Sequence, residues 1–284
     1  MKQLFVLQNS FIMKRTIVLF LTVSILFQFF SCTRNAITGR QQFKLLPDSE
    51  MQSMALQQYN EFLTANKVVP ASNKDAEMVK RVGQRITKAV ENYYSSKGLS
   101  KELEGYKWEY NLVDSKEANA WCMPGGKIVV YTGLLPITQN EAALAVVMGH
   151  EVSHAIFNHG NERMSQQLGA AAVQEGLNAA LANKPSETRN IFLASFGVSA
   201  QLGFLLPFSR KHESEADHYG LFWAAMAGYD PREAIPLWQR MEKAANGQSP
   251  PEFLSTHPSE GRRIEDLQKY MPHAMEYYHK AIGK

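Results

Sequence analysis

The sequence predicts an α+β fold that is mainly helical with a small sheet. Three observations carry this: long segments place apolar residues at helical spacing, two short segments carry strand patterns, and 45% of the 284 residues are hydrophobic, ordinary for a chain with a substantial core. The net charge of +3 is small for this length and spread along the chain. No basic block or stripe suggests a nucleic-acid surface, so nucleic acid is not expected as a partner.

The first thirty-one residues differ in kind. Lys14 and Arg15 precede an uncharged apolar run, Thr16 to Phe30, and Ser31 sits directly before Cys32. This is the layout of a bacterial secretory signal over 1–31, with Met13 as a second candidate start. A membrane-spanning helix is the alternative, but the run is shorter than the roughly 20 residues a bilayer needs, and Gln28 falls near its end. A cysteine right after a small residue resembles a lipoprotein cleavage site, although Phe29 stands where leucine is usual. The expectation is therefore a periplasmic lipoprotein of the bacterial cell envelope, anchored to a membrane, the outer one favoured, through an acyl chain on Cys32. Cys32 and Cys122 are the two cysteines. If Cys32 is acylated, no intrachain disulfide can form and the core must hold the fold. Cys122, between Trp121 and Met123, reads as a small buried apolar residue rather than a nucleophile.

From Thr33 to Pro47 the chain reads as a polar, extended arm with Gly39 and Pro47 as breakers. Met51, Met54, Ala55, Leu56, Tyr59 and Leu63 predict a helix over 48–66, and Met78, Val79, Val82, Ile86, Ala89, Val90 and Tyr93 predict another over 75–94. These give an arm and helix at 32–70, ahead of a main domain at 71–284. Strict alternation in YKWEYNL, 106–112, predicts a half-buried strand, and the β-branched KIVVYT, 127–132, predicts a second after the turn PGG. The intervening 119–126 reads only as a hairpin-like turn.

The next helix carries the chemistry. Thr138 and Glu141 make a capping box, the apolar run continues into His150, and Gly160 offers a stop. Residues four apart lie on one helix face, so His150 and His154 can offer their imidazoles to one ion, with Glu151 beside them. H-E-x-x-H on a helix is the zinc-protease pattern, in which the glutamate takes a proton from the metal's water. The bland reading is a surface helix with two histidines. Val146, Val147, Met148, Val152, Ala155, Ile156 and Phe157 argue instead for burial, where two imidazoles and a carboxylate are costly unless a metal compensates. His159 lies five residues past His154, rotated off that face, and reads as a helix C-terminal histidine favourable to the dipole.

A zinc hydrolase wants three protein ligands and an open position. Glu213 and Asp217, four apart on a predicted helix within 207–230, can supply the third ligand and a hydrogen bond that orients a ligating imidazole; Glu215 points elsewhere. An acidic, solvated helix start is the alternative. The run 191–208 is nearly long enough to span a bilayer, but Ser195, Gly197, Ser199, Gln201, Gly203 and Pro207 interrupt it, favouring a buried or cleft-flanking helical pair. A single closing helix is expected over 270–282.

The segments GHEVSHAIFNHGNERMSQ, LPFSRKHESEADHYG, EANAWCMPGGKIVVYTGLL and STHPSEGRRI together resemble zinc metallopeptidase family 48, most closely its soluble or lipid-anchored periplasmic members. The resemblance runs from about Cys32 to the end. It implies a gluzincin-like domain whose small antiparallel sheet lays an edge strand along the cleft, with one Zn2+ held by His150, His154 and Glu213. It further implies Glu151 as general base and Asp217 as support. Asn119 and Ala120, with Ile128, Val129 and Val130, would bind substrate peptide by strand addition. His257 would occupy the zinc's open position as a restraint, or donate to the developing oxyanion, with Arg263 supporting it. The implied activity is endopeptidase cleavage of unfolded or misassembled envelope proteins. A rival is a latent, chaperone-like protein that binds clients with its zinc site blocked by His257.

Overall fold

The computed structural model describes residues 32–175, 209–245, 252–257 and 262–284, with isolated positions 188, 191 and 195. The expected leader at 1–31, the Cys32 side chain and all but two positions of the 191–208 run lie outside them. Among the described residues no helix is long and apolar enough to cross a membrane. The chain divides into two units, at Leu45/Leu46. In the first, β1 (Cys32–Arg34) and β2 (Gln41–Phe43) pair antiparallel, so part of the expected polar arm is a short hairpin.

The second unit is mainly helical around a three-stranded sheet. α1 (Asp48–Ala65) and α2 (Lys74–Ser96) form where their apolar spacing predicts, and Asn73 caps α2 by accepting from the Asp75 N–H. β3 (Glu109–Val113), β4 (Ala120–Met123) and β5 (Lys127–Tyr131) make a sheet of order β3-β5-β4. β4 pairs antiparallel with β5, as a hairpin must, through a turn whose Gly125 and Gly126 take φ of 79° and 83°. β3 runs parallel to β5, so the sheet is mixed rather than wholly antiparallel. β5 is therefore the central strand, with both of its edges paired. The outer side of β3 is covered by the segment around Val68, which bridges to Val113. The remaining edge belongs to β4, the segment read from sequence as a turn.

After the short helix α3 (Leu135–Thr138), Gln139 takes a left-handed φ of 65° and ends it. The cap of α4 (Glu141–Ile156) is consequently Asn140, whose side chain accepts from the Ala143 N–H, and not Thr138. Every residue of α4 from Ala143 to Ile156 is buried. A helix apolar all round belongs in a core, and α4 lies among α2, β4 and α6 (Arg210–Met226). α4 does not run on to Gly160. It ends at Ile156, Asn158 takes φ of 57°, and α5 (His159–Glu175) begins at once with Gly160 inside it. The chain continues through α7 (Ala234–Ala245), α8 (Glu252–Thr256) and α9 (Arg263–Ala281), the last starting well before the expected 270.

Candidate metal centre

Two glycines set the distance between the helices that build the site. A β-carbon on Gly149 of α4 would meet the Gly220 carbonyl oxygen at 2.6 Å, and one on Gly220 of α6 would meet the His150 backbone nitrogen at 2.6 Å. The backbones thus touch where they cross, and any larger residue would separate them. Nearby, Ser153 Oγ donates to the Gly149 carbonyl and accepts from Trp223 Nε1 at 3.0 Å, tying α4 to α6 again.

This crossing brings His150 and His154 of α4 against Glu213 and Asp217 of α6. His150 Nε2 and His154 Nε2 lie 3.0 Å apart, and the Glu213 carboxylate stands 3.6 Å from the first and 3.4 Å from the second. His257, just after α8, adds a fourth donor: its Nδ1 is 3.2 Å from His150 Nε2 and 3.0 Å from Glu213 Oε1. One ligand atom from each of His150, His154, Glu213 and His257 falls within 4.8 Å of all the others, and all four residues are buried.

The chemistry of this donor set fits a zinc ion. The outer nitrogen of His150 is engaged by Asp217 Oδ1 at 2.9 Å and that of His154 by His159 Nδ1 at 3.0 Å, so the inner nitrogens converge on one another and on a carboxylate. Burial holds the His154 imidazole well below its ordinary range and His257 down to about 4. Neutral imidazole lone pairs facing each other need a cation between them, and two imidazoles with a carboxylate are a zinc hydrolase's ligands. A second sign is Glu151. Its Oε1 is buried without a hydrogen-bond partner among the described residues, and His257 Nε2 is 3.5 Å away. Desolvation, then the neighbouring Glu213 charge, pushes its carboxyl well above the usual range. A buried carboxylate oxygen left without a hydrogen bond beside a donor cluster suits a water-activating base.

Arg263 neutralises the carboxylates behind the ligands. Its Nε donates to Asp217 Oδ2 at 2.6 Å, Nη2 to Glu213 Oε2, and Nη1 to the His257 carbonyl, while its guanidinium lies 3.9 Å from the Trp238 ring centre. Burial alone would raise the Glu213 carboxyl; the electrostatic influence of His257 and His150, with hydrogen bonds from His154 and His257, outweighs it and holds it well below its usual value.

His257 is fixed from both sides. Its N–H donates to the Phe253 carbonyl and its ring stacks on Phe253 at 4.4 Å, while the Phe253 N–H donates to the Ala118 carbonyl just ahead of β4. Asn119 is buried there; its carbonyl accepts from the Tyr131 N–H and its Oδ1 from the Ala120 N–H. Ile128, Val129 and Val130 cannot present an edge to a peptide, because β5 is paired on both sides and these three are wholly buried. Cys122 is a free, buried thiol pushed up by burial.

His159 departs most from its sequence reading. Instead of ending α4 as its C-terminal histidine it opens α5 fully buried, and the left-handed Asn158 folds it back onto His154. Its Nε2 meets Glu215 Oε2 at 2.9 Å, so Glu215 also faces the site's surroundings. Asn158 between two helical phases was the available signal.

A family model described as peptidase family M48 matches residues 79–271. The mitochondrial metalloendopeptidase OMA1 of Schizosaccharomyces pombe is 33% identical over 242 residues, which are 84% of this chain and 66% of that one. The human mitochondrial metalloendopeptidase OMA1 is 32% identical over 247 residues, 84% of this chain and 44% of its own. The beta-barrel assembly-enhancing protease of Escherichia coli is 29% identical over 165 residues, 57% and 34% of the two chains. The chain thus spans less than two thirds of these relatives' lengths. The expected location, a periplasmic lipoprotein of the bacterial envelope, is overturned by the strongest of these similarities, since the fungal, plant and animal relatives are mitochondrial proteins. A short basic and apolar run resembles a targeting segment, but such a composition does not fix a destination.

Proposed function

The chain belongs to peptidase family M48, and on that premise we propose that it is a zinc metalloendopeptidase cleaving unfolded or misassembled proteins. The observation that carries the reading is the buried set His150, His154 and Glu213 with the unpartnered Glu151 Oε1 beside it. A bound zinc ion would supply Lewis acidity and an activated water there. Glu151 takes the proton of the attacking water at Oε1 and returns it to the leaving amine, a role its raised proton affinity serves. Asp217 and Arg263 hold the His150 ring and the Glu213 carboxylate in place. In the antiparallel register with β5, Ala120 and Cys122 direct their backbone groups away from that strand, and the Ala120 N–H is held by Asn119 Oδ1. An extended substrate adds along this edge, led in past Asn119 and Ala120, and backbone pairing makes sequence demands light.

A second reading is favoured by one feature: His257 stands in the fourth donor position, as a latent or client-binding protein would keep it. In the peptidase, the 252–257 segment withdraws His257 before water enters.

The decisive experiment measures zinc content and cleavage of an unfolded casein in wild type, Glu151→Gln and His257→Ala. One zinc per chain, loss of cleavage with zinc retained in Glu151→Gln, and faster cleavage by His257→Ala are expected. Zinc binding without cleavage by any variant, with client aggregation suppressed by all, would give the chain to the binding reading.

A further inference from the structure

We propose that His159 and Glu215 are positioning residues: together they fix the tautomer of His154 that leaves its Nε2 bare for the ion. The inference rests on the metal reading above and concerns a part of the site that the H-E-x-x-H pattern does not contain.

Two contacts in a line set where the protons sit. His154 Nδ1 faces His159 Nδ1 at 3.0 Å, and His159 Nε2 faces Glu215 Oε2 at 2.9 Å. A carboxylate only accepts, so the His159 proton belongs on Nε2. The Nδ1 of a neutral His159 then carries a lone pair and accepts, which obliges His154 to hold its proton on Nδ1. His154 Nε2, 3.4 Å from Glu213 and 3.0 Å from His150 Nε2, is left as a lone pair on the ion's side. The reverse order would place a proton on His154 Nε2, inside the donor cluster. Glu215 thus acts on the ligand through one intervening ring, whereas Asp217 acts on His150 directly. Both place a carboxylate behind a ligating imidazole, an arrangement that orients the ring and strengthens it as a donor.

The fold holds the relay rigidly. His159 is 0% exposed and stacks on His212 at 4.4 Å with ring planes 16° apart. His212 and Glu215 both lie on α6, the helix that also supplies Glu213, and Ser209 accepts from the His212 N–H at its start. Asn158 supplies the turn that lets His159 reach back.

The test uses the purified full-length chain, with zinc affinity measured by chelator competition, the cobalt(II) absorption spectrum, and the melting temperature of the metal-free protein. His159→Phe keeps the stacking ring and removes the acceptor; it should lose about 10–100-fold in zinc affinity. Glu215→Leu should lose about tenfold, and Glu215→Gln, whose amide oxygen still accepts, should recover most of that, with the metal-free melting temperature unchanged between the two. Should His159→Phe fail to fold, the Glu215 pair decides alone. Wild-type zinc affinity and cobalt spectrum in these variants would overturn the relay while leaving the metal reading intact. So would a loss that tracks metal-free stability and is not recovered by glutamine. A wild-type chain that takes up no zinc would overturn both.

Discussion

Gly220→Ala tests whether the site depends on the backbone crossing of α4 and α6. The new methyl would lie 2.6 Å from the His150 nitrogen and 2.8 Å from its α-carbon. Both are backbone atoms of the helix that carries the ligands, so no side chain can rotate away. Ordinary contact begins near 3.4 Å, and the helices must part by about 0.8 Å. Overpacking of this kind costs about 1–3 kcal/mol, partly offset by the roughly 1 kcal/mol that alanine gains over glycine inside a helix. Stability alone is therefore a weak readout. Zinc affinity is a sharp one, because ligand distances tolerate only about 0.2 Å, and two ligands sit on α4 while the third sits on α6. At least a tenfold loss of affinity in chelator competition is expected. Gly98→Ala serves as control: it strains a left-handed residue with nothing within 4 Å, and should lower stability without moving zinc affinity. Equal affinity in wild type and Gly220→Ala would refute the reasoning, because the donor geometry would then not depend on helix separation.

Other outcomes follow from named contacts. Arg263→Met leaves the buried Glu213 and half-buried Asp217 carboxylates without their counter-charge, and should destabilise the metal-free protein by about 3–5 kcal/mol in urea titration. Asn158→Val forces a β-branched residue to φ of 57°, costing about 1–3 kcal/mol and displacing His159, whereas Asn158→Gly should be close to neutral in both melting temperature and zinc affinity. Burial, with the His273 charge adding, holds the His218 imidazole down to about 4. The unfolded chain then binds more protons between about pH 4 and 6.5, so stability is full above the unfolded pKa and falls as pH drops through that window. The shift corresponds to about 3 kcal/mol, and to about 1–2 after screening of a partly exposed ring. Urea midpoints at pH 5 and 7 should differ less in His218→Phe than in wild type; identical differences would exclude His218 as the source.

The elements easiest to read in the sequence were those with one wet face. α1 and α2 carry apolar stripes opposite polar ones, so periodicity marks them. β4 carries no such contrast: Ala120, Trp121, Cys122 and Met123 are all buried, and a strand buried on both faces looks from sequence like part of a turn beside Pro124, Gly125 and Gly126. The parallel pairing of β3 with β5 was equally silent, since the hairpin to β4 is local while the crossover is not. The start of α4 shows two capping candidates competing. Thr138 satisfies the box pattern, but Gln139 turns left-handed, and Asn140 caps the helix instead.

The site divides along the same line. His150, His154, Glu213 and Asp217 were legible because each pair lies four apart on one uninterrupted helix, where spacing converts directly into a shared face. His159 was hidden by applying that rule across a break. Five residues of continuous helix turn about 500°, which leaves a side chain about 140° from where it began, and on that geometry His159 lies off the ligand face. One left-handed residue changes the result: Asn158 restarts the helix in a new direction and returns His159 beneath His154. The Gly149–Gly220 contact is likewise invisible to periodicity, since neither glycine has a side chain to register in a pattern. Residues that bind the ion can be read from regular spacing, but those that hold them in place depend on where regular structure stops. A search of H-E-x-x-H sequences for histidine relays should therefore weigh the residue that ends the motif helix as heavily as the spacing beyond it.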